Sequence, residues 1–330
     1  MLDLLARFRR SHEFWLAMSI LALCVILTAA TDSFFTLRNL SDLLTSNAFV
    51  GILCAGLIVV LVAGGIDISF TATATVTQYV ALTIANDYGA NWFTLFALAG
   101  AIGIACGAIN AIFIERFKIH SIIVSIATLN IFYGLLIYFT KGKYIYTLPE
   151  FFTTGINWFE FEYDEIPYAI NLQILLLVAS FLLTWFILNR TNVGRQIYAM
   201  GGNPDAAKRL GFSTFRLNMF VYCYMGFIAG VASLAQAQFA QSVAPTVLVG
   251  KELDVLAAVV LGGASLTGGV GTVLGAFLGL TLLALLQNGL VLLGVSSYYT
   301  QFVTGAVILI SVSATALEAA RQQRLKRSRA

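Results

Sequence analysis

NVGRQIYAMGGNPDAAKRLGFSTFR, residues 192–216, is the one long polar and basic segment in a chain that is otherwise a succession of apolar runs. It contains a Gly-Gly-Asn-Pro turn at 201–204, a short stretch at 205–210 and then Gly211. Proline suits the first position of a helix, and a glycine just past the last turn suits its end. A short helix is therefore expected over Asp205, Ala206, Ala207, Lys208, Arg209 and Leu210, opened by Asn203 and Pro204 and stopped at Gly211. A short rigid helix between two membrane spans is a shape that a soluble partner can grip. An ordinary basic loop between spans fits the same residues.

Composition fixes the class around this segment. The chain is 59% hydrophobic and 11% charged, with a mean hydropathy of +0.87. Soluble domains carry about 25% charged residues, so there is too little polar surface here to cover a water-soluble globule. Lipid admits only helices and closed barrels. The expected fold is all-α, a single polytopic domain over 1–330.

A spanning helix needs about 20 mainly apolar residues. Candidates are 14–31, 48–64, 68–86, 92–115, 119–140, 168–189, 216–239, 272–291 and 299–317, with a shorter one at 253–263. That makes about ten transmembrane helices. The first run, after Arg7, Arg9 and Arg10, is longer than the apolar part of a signal peptide, which supports an uncleaved span. Lysine and arginine collect on the cytoplasmic side. Fifteen of the nineteen lie in 7–10, 116–118, 190–216 and 321–329. Ten spans put all four segments on one side, so both termini are expected to be cytoplasmic in a multi-pass membrane protein. The loop 141–167 then faces outward, with Glu150, Glu160, Glu162, Asp164 and Glu165 against Lys141 and Lys143. It is rich in aromatics, from Tyr144 and Tyr146 through Phe151, Phe152, Trp158, Phe159, Phe161 and Tyr163 to Tyr168. Aromatics settle at headgroup level, so a flap on the outer leaflet is expected; a docking surface is the functional alternative.

Small residues recur within the spans: Gly100, Gly103 and Gly107 in one, and Gly271, Gly275 and Gly279 four apart in another. Such spacing lets membrane helices approach closely. The pairs Gly64-Gly65 and Gly262-Gly263 differ, since each ends an apolar run before a polar patch, as a break between helices would. VLVAGGIDIS and AVVLGGASLTGG, around these pairs, look like a distant internal repeat.

Asp67 follows the first pair, where it can cap a helix or serve the passage of a solute. Ser69, Thr71, Thr73, Thr75, Thr77 and Gln78 come next. At helical spacing Ser69, Thr73 and Thr77 share one face, and Thr71, Thr75 and Gln78 share roughly the opposite one. Hydroxyls on both sides exclude a lipid-facing helix. With Asn110, Asn130, Gln236, Gln238, Gln241, Gln287 and Asn288 they describe a lining of hydroxyls and amides with few charges. Each alone reads more simply as an interhelical hydrogen bond. Together they suit a neutral, hydroxylated solute. The candidate path is Gly64, Gly65, Asp67, Ser69, Thr73, Thr77 and Asn130.

No catalytic constellation is visible. Cys24, Cys54, Cys106 and Cys223 sit singly in apolar runs, and His12 and His120 flank spans, so neither catalysis nor a metal site is expected. The run Gly268-Gly269-Val270-Gly271-Thr272 lacks the lysine of a phosphate-binding loop. Energy for transport must come from elsewhere or from a gradient.

Three motifs carry a resemblance: GGIDIS at 64–69, NVGRQIYAMGGNPDAAKRLGFS at 192–213, and ELDVLAAVVLGGASLTGGVGTVLGAFLG at 252–279. In this order and spacing they resemble the permease subunits of bacterial ABC sugar importers, a family with ribose, xylose, galactose and autoinducer-2 systems. The resemblance covers roughly 40–315. It implies a second permease chain, identical or related, a cytoplasmic ATP-binding subunit that holds ATP and Mg²⁺, and a periplasmic sugar-binding protein. No cofactor in this chain and no nucleic-acid partner are implied. The segment from Asn203 to Gly211 matches the family's ATPase-coupling helix. One departure is Ser69-Phe70-Thr71-Ala72-Thr73, where such permeases often carry a serine followed by small residues such as Val-Gly-Ser. A facilitator working without ATP is the alternative the residues leave open.

Overall fold

The structure is a computed structural model that describes residues 12–154, 157–163 and 166–296 and parts of 298–313. It is helical for most of its length. In chain order the elements are α1 (His12–Ala30), α2 (Leu37–Ser46), α3 (Ala48–Val62), α4 (Phe70–Tyr88), α5 (Trp92–Phe117), α6 (Ser121–Thr140), α7 (Glu150–Thr154), β1 (Asn157–Tyr163) and β2 (Ile166–Asn171). They continue with α8 (Leu172–Arg190), α9 (Asn192–Gly202), α10 (Pro204–Arg209), α11 (Thr214–Ala240), α12 (Lys251–Leu261) and α13 (Val273–Leu292).

Length and composition alone count fewer spans than the expected ten. Among the described residues six helices meet both conditions, α1, α5, α6, α8, α11 and α13, and a seventh span results if α2 and α3, bent by 50° at Asn47, count as one. The reason lies in burial. All of α3 except Val50 is buried, so fifteen residues suffice with α2 attached. In α4 the hydroxyl run lowers the hydropathy, and its neighbours rather than lipid receive it. With only eleven residues, α12 follows an irregular stretch at 241–250. The run 299–317 lies only partly within the described residues, and both basic termini lie outside them.

The all-α expectation also needs correcting. The loop 141–167 builds α7 and most of an antiparallel hairpin in which Glu160 pairs with Ala169 and Phe161 with Tyr168. Its sequence alternates aromatic and acidic residues over 159–163, the period of a strand. Nor does the described part lie free on a leaflet. Ile145 and Val243 exchange two backbone hydrogen bonds of 2.9 Å. Phe152 is fully buried, and Trp92 packs against Phe151 and Phe152 at 5.6 and 5.4 Å. Tyr144 and Tyr146 remain exposed and stack on each other.

At the centre, α3 and α11 form the core, and α5 closes on α11 along a seam of glycine. A Cβ on Gly103 would stand 2.1 Å from the Gly226 carbonyl oxygen, and one on Gly226 would stand 2.0 Å from that of Gly103. Gly107 meets the Tyr222 carbonyl and Gly230 that of Ala99 in the same way. A second seam joins α12 to α13 through Gly262, Gly275 and Gly279. Small residues thus serve close helix approach, as their spacing indicated. Gly103→Leu should cost about 1–3 kcal/mol through overpacking and lower the melting temperature of the solubilised protein. Gly134→Ala, on α6 with nothing within 4 Å, should leave it unchanged. Equal melting of both variants would refute the seam as a stabilising contact.

Candidate functional site

The three motifs meet at one end of the bundle through their glycine pairs. Gly64-Gly65 ends α3, Gly201-Gly202 ends α9, and Gly268-Gly269 lies in the loop between α12 and α13. The Gly269 N–H donates to the Val62 carbonyl at 2.9 Å. A Cβ on Gly201 would stand 1.9 Å from that same oxygen, and one on Gly268 would stand 2.6 Å from the Gly64 Cα. No side chain fits between these three backbones. The Tyr198 hydroxyl ties α9 to the third strand of the junction, donating to the Gly271 carbonyl at 2.7 Å.

The helix ends are sealed in one recurring way. After α3, Gly64 adopts φ 86°; its N–H donates to Leu61, and that of Gly65 to Val60. After α12, Gly263 adopts φ 88°, with Gly263 donating to Val260 and Ala264 to Val259. This is the paired closure that a left-handed glycine permits. The two segments expected to be a repeat therefore share local geometry, offset by one residue: Gly64 corresponds to Gly263 rather than to Gly262.

Directly after the junction, α10 forms where the sequence placed a short helix, one residue earlier at Pro204. The Asn203 side chain accepts from the Ala206 N–H at 3.0 Å, which satisfies an open donor at its start. Asp205 occupies the first turn and Lys208 and Arg209 the last, the favourable order for the helix dipole. Gly211, at φ 84°, closes it: its N–H donates to Lys208, and that of Phe212 donates to Ala207. Only Ala207 is buried. Pro204, Asp205, Ala206, Lys208, Arg209 and Leu210 all face outward, and Leu210 is 70% exposed. The result is a rigid knob held by one small apolar contact and a backbone junction.

Beneath the knob lies a cavity of about 330 Å³, bounded by Gly64, Gly65, Pro204, Lys208, Asn218 and Tyr222 and by the α5–α6 turn. There Glu115 pairs with Lys118 at 2.6 Å and accepts from Asn218. The Ser121 hydroxyl accepts from the Ile66 N–H at 3.0 Å.

The expected path residues divide. Asp67 is buried, and its carboxylate accepts from the Ser69 N–H at 2.8 Å and the Ser69 hydroxyl at 2.7 Å. It closes a turn just before α4, and Ser69 itself holds the capping position. Asn110 of α5 donates to the Ser69 hydroxyl at 2.7 Å. Thr73 and Thr77 are buried further along α4, the Thr77 hydroxyl without a partner among the described residues. Asn130 does not join them: it is exposed on α6, its amide bonded back to the Ile126 carbonyl. On the opposite face Thr75 bonds to the Thr71 carbonyl, and Thr71 reaches the Glu252 carboxylate at 3.2 Å. Sequence reasoning missed the junction itself and Glu252. The recurrence of a glycine pair in each of the three motifs was the available signal for the junction.

A family model described as "Branched-chain amino acid transport system / permease component" matches residues 39–312. The chain is 33% identical to the ribose import permease protein of Escherichia coli strain K12, over 89% of this chain and 90% of that one. It is 34% identical to the ribose import permease protein of Bacillus subtilis strain 168, over 88% of each. Identity to the autoinducer 2 import system permease protein of Klebsiella pneumoniae is 31%, over 91% of this chain and 85% of that one. No solved structure matches. With its three motifs joined at one junction and the match running through nearly all its helices, the chain belongs to this family of transport-system permease components.

Proposed function

We propose that the chain is the membrane-spanning permease subunit of an ATP-binding-cassette importer that carries a neutral sugar or polyol into the cytoplasm across the bacterial inner membrane. One observation carries the coupling part of this reading. The helix α10 presents five of its six residues outward, is locked at both ends, and stands on backbone that cannot yield without moving α3 and the loop after α12. A push on such a knob reaches the core undamped. The residues from Asn203 to Gly211 are the coupling element, and ATP with Mg²⁺ belongs to the partner ATPase. A second permease chain, identical or related, and a periplasmic sugar-binding protein complete the assembly. Family membership weighs against a facilitator working alone.

Ten crossings with both ends on the knob's side remain the best topology. His12, at the start of α1, donates to the Leu261 carbonyl at 2.9 Å, and Thr272 donates to Glu13, so α1 begins at the junction end. Contacts such as Asn171 to Thr45 and Asn86 to the Thr147 carbonyl lie at the other end. The names of the relatives include ribose and L-arabinose, both neutral and polyhydroxylated, which accords with a lining of hydroxyls and amides. Gly64, Gly65, Asp67, Ser69, Thr73 and Thr77 keep their place in the proposed path; Asn130 does not.

Vesicles holding the permease, its ATPase and its binding protein should take up sugar only with ATP and all three components. Uptake by the permease alone, indifferent to ATP, would sink the importer. Gly201→Ala should separate ATP hydrolysis from uptake, because its Cβ overlaps the Val62 carbonyl, whereas Gly202→Ala has open space and should behave as the unmodified protein. Ala207→Trp should likewise uncouple, and normal uptake in both Gly201→Ala and Ala207→Trp would refute the knob assignment.

A further inference from the structure

The helix α12 begins with charge at the mouth of a cavity in an otherwise apolar bundle, with Lys251 exposed and Glu252 and Asp254 half-buried. Lys251 and Asp254 form an ion pair at 3.1 Å. Glu252, between them, is held on the other side, accepting from the Thr71 hydroxyl at 3.2 Å and the Gly250 N–H at 3.0 Å. Depth follows from the glycine seam. A Cβ on Gly279 would stand 2.1 Å from the Ala258 carbonyl, which fixes Ala258 against the middle of α13. Asp254 and Lys251 lie one and two turns before Ala258, so they come level with the half of α13 farther from the junction.

Here the ion pair lines a cavity of about 460 Å³ between α2, α3, α11, α12 and α13. Gln236 of α11 and Gln287 of α13 also line it, and neither side-chain amide has a hydrogen-bond partner among the described residues. Nearby Asn288 is not free, because it exchanges two hydrogen bonds with Asn39 at 2.8 and 3.1 Å. Phe49 and Phe239 supply apolar wall. Gln236 and Gln287 are half-buried, so their free amides stand open to a polar guest or to water.

We propose that this cavity is where the permease itself holds its solute in passage, with Gln236 and Gln287 as the hydroxyl-binding groups. The charges of Lys251 and Asp254 cancel, so the wall favours a neutral guest. Each amide both donates and accepts, which matches hydroxyl groups of either role. The aromatic wall matches the C–H faces of a sugar ring. The volume lies in the lower range of small-molecule sites, about 300–1,000 Å³. The proposal rests on the importer reading above and adds to it residues for contact with the solute.

The test uses the complete importer in vesicles, with D-ribose and L-arabinose as probes, and reads uptake and binding-protein-stimulated ATP hydrolysis together. Gln236→Leu and Gln287→Leu should each lower uptake about tenfold, the effect of one lost hydrogen bond, with stimulated hydrolysis within about twofold of the unmodified protein. Unchanged uptake in both variants would overturn the site. Parallel loss of hydrolysis would overturn it too, by marking the residues as structural. A second measurement reads the cavity without transport. Gln287→Cys, in a background with Cys24, Cys54, Cys106 and Cys223 replaced by alanine, should react with a water-soluble maleimide, and the transported probe should slow the reaction. An unreactive thiol means a dry cavity and ends the proposal. If the unmodified importer instead moves sugar without ATP, the importer reading fails, while the labelling result still decides the cavity.

Discussion

A single backbone hydrogen bond, from the Gly269 N–H to the Val62 carbonyl, stands at the meeting of three chain segments that are far apart in sequence. It exists because Val62 is buried, so its carbonyl must find a donor inside the protein. Val62 lies in the last turn of α3, and most of the carbonyls there are taken by the closing turn of Gly64 and Gly65. The loop after α12 supplies the remaining donor. Only glycine lets it come that near, since Gly201 already lies against the same oxygen. The position of α10 follows from this contact, because Asn203 starts immediately after Gly202.

The same constraint explains why glycine lines the two closest seams between helices. Lipid tails are as apolar as leucine, so burying leucine against leucine gains little in a membrane. Close backbone contact gains dispersion and leaves no void. The two seams, α5 on α11 and α12 on α13, use it in full. Polar groups fill the remaining role: the Asn39–Asn288 exchange fastens α2 to α13, and Asn110 fastens α5 to the start of α4.

What the sequence disclosed and what it hid follow from locality. The knob was legible because Asn203, Pro204 and Gly211 act on their own neighbours, and the structure shifts its start by only one residue. The hydroxyl run of α4 was legible as a helix kept from lipid. Hydropathy alone does not count α3, α4 and α12 as separate spans, because they depend on partners for length or polarity and hydropathy measures each segment alone. The hairpin was hidden by composition: aromatics in 158–163 suggested headgroup anchors, although their alternation with Glu160 and Glu162 carried the strand period. Asn130 was misplaced because nothing local tells which side of α6 it occupies.

The seam between α5 and α11 has a consequence for how the protein is made. Gly103 reaches the membrane well before Gly226, with 122 residues of chain between them. At ribosomal speed that interval lasts roughly 6–25 s. For that time α5 must sit in lipid with its glycine stripe uncovered, and α4 must keep its hydroxyls and Gln78 from lipid without the helix that later encloses them. Newly made protein is therefore vulnerable to membrane quality control until α11 arrives, and the length of chain from α6 to α10 sets how soon that happens.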